Sequence, residues 1–235
     1  MNLILIEEKD YAGKSRVRLR GRALKHAKEV FKATKGDELT VGLLNGKMGK
    51  GRVTTIENGF LDMELNLHSD PPPPLAVTLI IALPRPKMLS RVLESATSMG
   101  VKDMYIINSW RVEKSYWLSP KLEEGNIREH LIAGLEQAKD TILPQVHLRR
   151  LFTPFIREEL PVLMKGSLPL VAHPVASDSF PERSQEKVTL AIGPEGGFIT
   201  REVETFEEIG FKTVTLGERI LRVETAVPVL LSKLS

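Results

Sequence analysis

The residues best suited to chemistry lie in two short segments near the C-terminal end. In the first, the apolar stretch Val188–Ile192 runs into Gly193-Pro194-Glu195-Gly196-Gly197, with Phe198 after it. A glycine-rich turn at the carboxyl end of a parallel strand lets backbone approach a ligand closely. The spacing is neither GxGxxG nor a Walker A, so dinucleotides and nucleoside triphosphates lose support. Thr200 reads as the N-cap of the next helix. The second segment, Leu216–Ala226 (LGERILRVETA), is another strand-to-helix junction, and Arg222 and Glu224 are the charged groups placed to work there. Two such junctions from neighbouring strands would line one pocket. The plainer alternatives are a tight turn that needs positive φ and an Arg–Glu pair capping a helix.

Other chemistries are excluded by residue type. The chain has no cysteine, which removes disulfides, thiolate metal sites and a cysteine nucleophile. Five histidines show no metal-ligand spacing, so no metal is expected. No apolar run approaches the roughly 18 residues of a membrane span, so no membrane partner is expected. The N-terminal stretch Met1–Tyr11 is too short and too acidic for a signal peptide, and the lack of cysteine fits, without demanding, the reducing cytoplasm expected as the location. Hydrophobic residues at 42% and charged residues at 27% describe a chain of 235 residues able to bury a core.

The elements that must position the two segments follow from punctuation and period. Pro71-Pro72-Pro73-Pro74 is a stiff spacer, so residues 1–70 and 75–235 read as two domains joined by the linker 71–74. Residues 9–52 carry thirteen Lys and Arg against four acids, a local charge of +9 in a chain whose net charge is +3. That asymmetry predicts a basic surface for a polyanion, with Arg16, Arg18, Arg20, Arg22 and Lys25 at its centre. The first domain reads as strands over 3–6, 16–19, 38–44, 50–56 and 60–67 with one helix over 22–33, a small β-barrel. Val17 and Leu19 face inward there, and Arg16, Arg18 and Arg20 outward.

After the prolines the period changes. Strands are predicted over 77–83, 104–107, 146–151, 168–172, 188–192 and 213–216. Helices are predicted over 88–99, 127–142, 202–209 and 222–234, and 154–164 continues the alternation. Strands separated by helices of this length form a parallel sheet covered on both faces, an α/β fold. Val227, Val229, Leu230, Leu231 and Leu234 make the last helix more apolar than one sheet face needs.

GPEGGF at 193–198 with LGxRILRxETA at 216–226 resembles the bacterial 16S rRNA uridine-N3 methyltransferase family of the SPOUT superfamily. His26-Ala27-Lys28-Glu29-Val30, the following Lys35-Gly36-Asp37-Glu38-Leu39, and Ser98-Met99-Gly100-Val101 agree with further family motifs, so the resemblance spans nearly the whole chain. It implies a PUA-like RNA-binding barrel joined to a methyltransferase domain with a C-terminal trefoil knot, working as a homodimer. It also implies S-adenosylmethionine as cofactor and 16S rRNA of the small ribosomal subunit as substrate. The cofactor would lie against Ile192, Gly193, Pro194, Glu195, Gly196 and Gly197, and against Leu216, Gly217, Ile220 and Leu221. His173, in a loop that departs from the family pattern, is expected to be merely exposed.

Methylating uridine N3 requires a weakly acidic imide to lose its proton. A positioned base and a cation that stabilises the uridinate both help. Arg222 is the candidate catalytic cation, because a guanidinium donates to a carbonyl and does not deprotonate. Glu195 or Glu224 is the candidate base, and either could instead orient its neighbours. Two alternatives remain at this point: ribose 2′-O-methylation by the same fold, and a non-catalytic rRNA-binding assembly factor.

Overall fold

The computed structural model describes residues 3–176, 178–181 and 186–235, which divide into two compact units. One comprises Met1–Pro73 with Ile132–Leu143, and the other Pro74–Leu131 with Pro144–Ser235.

The first unit is built on a five-stranded sheet of order β1-β3-β4-β5-β2. Its strands are β1 (Ile4–Ile6), β2 (Arg16–Leu19), β3 (Glu38–Leu43), β4 (Met48–Ile56) and β5 (Leu61–Ser69), and its first helix is α1 (Gly21–Glu29). Only β1 and β3 pair in parallel; the other pairs are antiparallel. The alternation in β2 places Val17 and Leu19 in the core and leaves Arg16 exposed, as period-two patterning requires. Ile4, Ile6, Val41, Val53, Leu61 and Met63 complete that core.

The helix α3 (Glu124–Ala138) corrects the predicted partition, which gave residues 127–142 wholly to the second domain. Ile132 and Leu135 pack with Leu3 and Leu5 in a separate apolar cluster of the first unit. Leu3 N donates to the Glu136 carbonyl at 2.9 Å, and Thr141 Oγ1 donates to the Gly46 carbonyl at 2.5 Å. The helical period shows one apolar face, but nothing local in it says which unit that face joins.

The second unit holds seven strands, all parallel where they pair: β6 (Val77–Ala82), β7 (Asp103–Ile107), β8 (Gln145–Arg149), β9 (Leu168–Ala172), β10 (Asp178–Ser179), β11 (Val188–Ile192) and β12 (Lys212–Thr215). Their order is β10-β12-β9-β11-β6-β7-β8. β6 and β11 are buried at every position, the signature of a parallel strand covered on both faces. The helices are α2 (Pro86–Ser98), α6 (Thr200–Glu208) and α7 (Val223–Ser232). Between β8 and β9 run α4 (Phe152–Pro154), a π-helical segment (Phe155–Glu159) and α5 (Leu160–Leu163). Pro161 has no N–H to offer Arg157, which accounts for the widened turn just before it.

α7 packs on α2, and Val227, Leu230, Leu231 and Leu234 are all buried within this unit. Four of the five apolar residues noted in α7 are thus used inside the chain, while Val229 is half-buried.

Candidate functional site

β9, β11 and β12 are neighbours running the same way, so the chain leaves all three at one end of the sheet. The segments that follow converge on a pocket enclosing about 650 Å³ including its open mouth. From the first segment Ile192, Gly193, Pro194, Glu195 and Gly197 line it. Leu216, Gly217, Ile220 and Leu221 line it from the second. Ligand sites in α/β folds form in this position, outside the carboxyl ends of strands where the chain order changes.

Gly196 is the exception among the predicted cofactor residues. Its carbonyl accepts a hydrogen bond from Arg111 Nη1, and a Cβ built on it would meet Arg111 Cδ at 2.8 Å. Gly193 is where the lack of a side chain decides the loop: a Cβ there would lie 2.8 Å from the Phe198 backbone N. The turn folds back tightly on itself, closed by Gly197 N donating to the Pro194 carbonyl at 2.7 Å. In the second segment Gly217 sits at φ +116°, a left-handed conformation that L side chains rarely adopt.

One of the two candidate carboxylates is already engaged. Glu195 Oε1 accepts from Arg85 N at 2.9 Å, tying the glycine loop to the start of α2. Arg222 is the N-cap of α7, and its carbonyl accepts from Thr225 N and Ala226 N. The residue is exposed, stands between the pocket-lining Leu221 and Val223, and its guanidinium has no partner among the described residues. Glu224, in the first turn of α7, likewise has no side-chain partner among them, so the two do not form the anticipated capping pair.

His173 departs from the expectation of an exposed histidine. It is half-buried in the pocket wall after β9, with Nε2 3.3 Å from the Phe198 carbonyl and Nδ1 accepting from Val175 N at 3.4 Å. These contacts fit a proton on Nε2. Arg219, exposed at the same pocket, was also missed, although it lies within the motif that pointed to its neighbours.

The predicted basic residues of the first unit do not behave alike. Arg18 and Asp62 are directly opposed across β2 and β5 and form a bidentate pair, Nε–Oδ1 2.7 Å and Nη2–Oδ2 2.8 Å. The same guanidinium lies 4.2 Å from the centre of the Phe60 ring. Its hydrogen bonds hold the Asp62 carboxyl below its usual pKa against the opposing effect of burial, and the charges of Arg16 and Arg20 add to that lowering. Arg22 makes a second bidentate pair, both bonds 2.8 Å, with the buried Glu136. Lys25 lies only 4.0 Å from Glu29 with both side chains exposed. Arg16 and Arg20 are exposed without an ion pair among the described residues.

Among the described residues no group of His, Asp or Glu is arranged to hold a metal, and no helix is long and apolar enough to cross a membrane.

The chain is 28% identical over 232 residues to ribosomal RNA small subunit methyltransferase E of Treponema pallidum, covering 96% of this chain and 87% of that protein. Its fold matches a methyltransferase of Legionella pneumophila solved with bound cofactor SAM, with a TM-score of 0.77 and 24% identity over 99% of this chain and 96% of that one. It also matches ribosomal RNA small subunit methyltransferase E of Neisseria gonorrhoeae bound to S-adenosyl methionine, again with a TM-score of 0.77, at 21% identity over 99% and 95% of the two chains. These structures share the α/β fold with its parallel sheet and separate small sheet. Residues 71–235 match the RNA methyltransferase domain, and on that match the chain belongs to the family which that domain defines.

Proposed function

We propose that this protein is an S-adenosylmethionine-dependent methyltransferase that modifies N3 of a uridine in the 16S rRNA of the small ribosomal subunit. The observation that carries the reading is the pocket at the ends of β9, β11 and β12, formed by the two segments the family resemblance singled out. The residues present fit the cofactor. Ile192, Leu216 and Leu221 offer apolar walls to a flat adenine, and the turns at Gly193 and Gly217 present backbone polar groups without side chains in the way. The family name of the relatives supports rRNA of the small subunit as substrate.

When bound, S-adenosylmethionine supplies an electrophilic methyl group on a sulfonium. The chain's part is to hold the uracil and manage the imide proton. Arg222, exposed and unpaired beside the pocket, donates to a uracil carbonyl and stabilises the charge that develops as N3 loses its proton. Glu195 holds the glycine loop through Arg85 N. Glu224, two residues from Arg222, is then the carboxylate left to accept the proton. Arg16, Arg20 and Lys25 form the phosphate-holding set, while Arg18 and Arg22 serve chiefly to hold the first unit together.

The resemblance also supports a PUA-like first unit, a trefoil knot in the second, a homodimer and a cytoplasmic location. Light scattering at micromolar concentration should then give twice the chain mass of 26.3 kDa; the single-chain mass would refute the dimer.

Calorimetric titration with S-adenosylmethionine tests the reading. Binding should be unaffected by a chelator. Arg222→Ala should keep that affinity while lowering kcat about 10²–10³-fold. Failure of the wild-type protein to bind the cofactor would overturn the proposal, and full kcat in Arg222→Ala would remove the assigned catalytic residue.

A further inference from the structure

Beside the cofactor pocket, within the same unit, lies a second cleft of about 1200 Å³ including its open mouth. Its walls come from the segment after β7, the start of α6 and the residues Phe152 and Thr153. Trp110 lines it and is 80% exposed, an unusual state for the largest apolar side chain. The backbone that carries this indole is held firmly. Trp110 N donates to Glu202 Oε1 at 2.7 Å, and Ile199 N donates to Glu202 Oε2 at 3.0 Å. Next to it, Trp117 Nε1 donates to Asn108 Oδ1 at 3.0 Å. The one carboxylate of the cleft, Glu202, is thereby committed to two backbone donors.

The cations of the cleft are uncommitted. Lys114 and Arg201 are exposed cations with no ion pair among the described residues. The segment that carries Trp110 is tied to the glycine loop. Arg111, adjacent to Trp110, donates to the carbonyl of Gly196 in the glycine loop, and Ile199 at the end of that loop lines the cleft.

A flat exposed ring on rigid backbone and two unpaired cations match the base and phosphate of a nucleotide. Any base stacks on an indole, and a phosphate pairs with lysine and arginine. We propose that this cleft binds one unpaired nucleotide of the RNA substrate, neighbouring the one presented to the cofactor, with its base on Trp110 and its phosphate held by Lys114 and Arg201. This rests on the RNA methyltransferase reading and adds a substrate subsite to it. It predicts that the substrate is single-stranded at this position, because a paired base has no free face to offer.

The test uses the full-length protein and a short fluorescein-labelled single-stranded RNA of mixed sequence. Trp110→Ala should weaken binding about 5- to 150-fold, the range expected for one lost base–aromatic stack. Trp110→Phe should recover most of it. The double variant Lys114→Ala/Arg201→Ala should flatten the slope of log K against log salt by about 1.4, two single-strand phosphate contacts. S-adenosylmethionine affinity, by calorimetry, should stay at the wild-type value in all three. If Trp110→Ala also lowers the thermal midpoint, the Trp110→Phe affinity and the salt slope decide. Wild-type RNA affinity in Trp110→Ala would overturn the proposal, as would equal loss in the Phe and Ala variants. A fall in solution mass with RNA affinity unchanged would assign the indole to self-association and overturn it too. A wild-type protein that binds cofactor and methylates rRNA while the subsite variants change nothing refutes the subsite alone. One that binds neither cofactor nor RNA refutes the functional reading with it.

Discussion

Gly193 and Asp62 show how single residues fix the two units. A methyl group at position 193 meets backbone rather than a movable side chain, so the loop cannot yield locally. Gly193→Ala should therefore weaken S-adenosylmethionine binding more than Gly196→Ala, where the obstructing atom belongs to the flexible Arg111. Calorimetry on the two variants checks this ordering. Asp62 carries a pH signature. Its folded pKa is lowered, first by the hydrogen bonds from Arg18. The stabilisation is complete above the unfolded-state value of about 3.9 and is lost as pH falls through the lower folded value. Asp62→Asn should lower the melting temperature near neutrality, and the gap to wild type should close in acid. Melts between about pH 2 and 7 measure it; a gap independent of pH would contradict the assignment.

At the level of elements, Glu136 shows what α3 does for the first unit. It is 2% exposed, accepts both bonds from Arg22, and its Oε1 lies 3.4 Å from Leu5 N. Glu136→Gln keeps the shape but loses the charge-assisted fork, and should cost about 1–3 kcal/mol in urea unfolding. An unchanged midpoint would mean that Ile132 and Leu135 alone dock the helix. This docking was not legible in the sequence. Leu131 and Leu135 mark an apolar face, but the partners, Leu3 and Leu5, lie more than a hundred residues away. By contrast β2 was legible to the residue, because Arg16, Val17, Arg18 and Leu19 alternate without exception. β10, two residues long, is too short to carry a period. The commitment of Arg18 and Arg22 to carboxylates was equally hidden, since Asp62 and Glu136 are distant in sequence and each pair exists only once the fold brings them together.

For the whole molecule, the site arises from strand order. β11 lies between β6 and β9, with β12 beyond β9, an order that no local pattern discloses. Both site segments were nevertheless readable, because their glycines and apolar strand ends are local signals, and His173 was misjudged because its place beside them depends on that order. The assembly is proposed to place a methyl group on a uridine base of 16S rRNA. The most direct test of that activity is nucleoside mass spectrometry of small-subunit rRNA that is taken from a strain lacking the gene and incubated with the purified protein and S-adenosylmethionine. One new 3-methyluridine with an unmodified ribose is the predicted result. A 2′-O-methyl nucleoside, or no added methyl group in a protein that binds the cofactor, would contradict it.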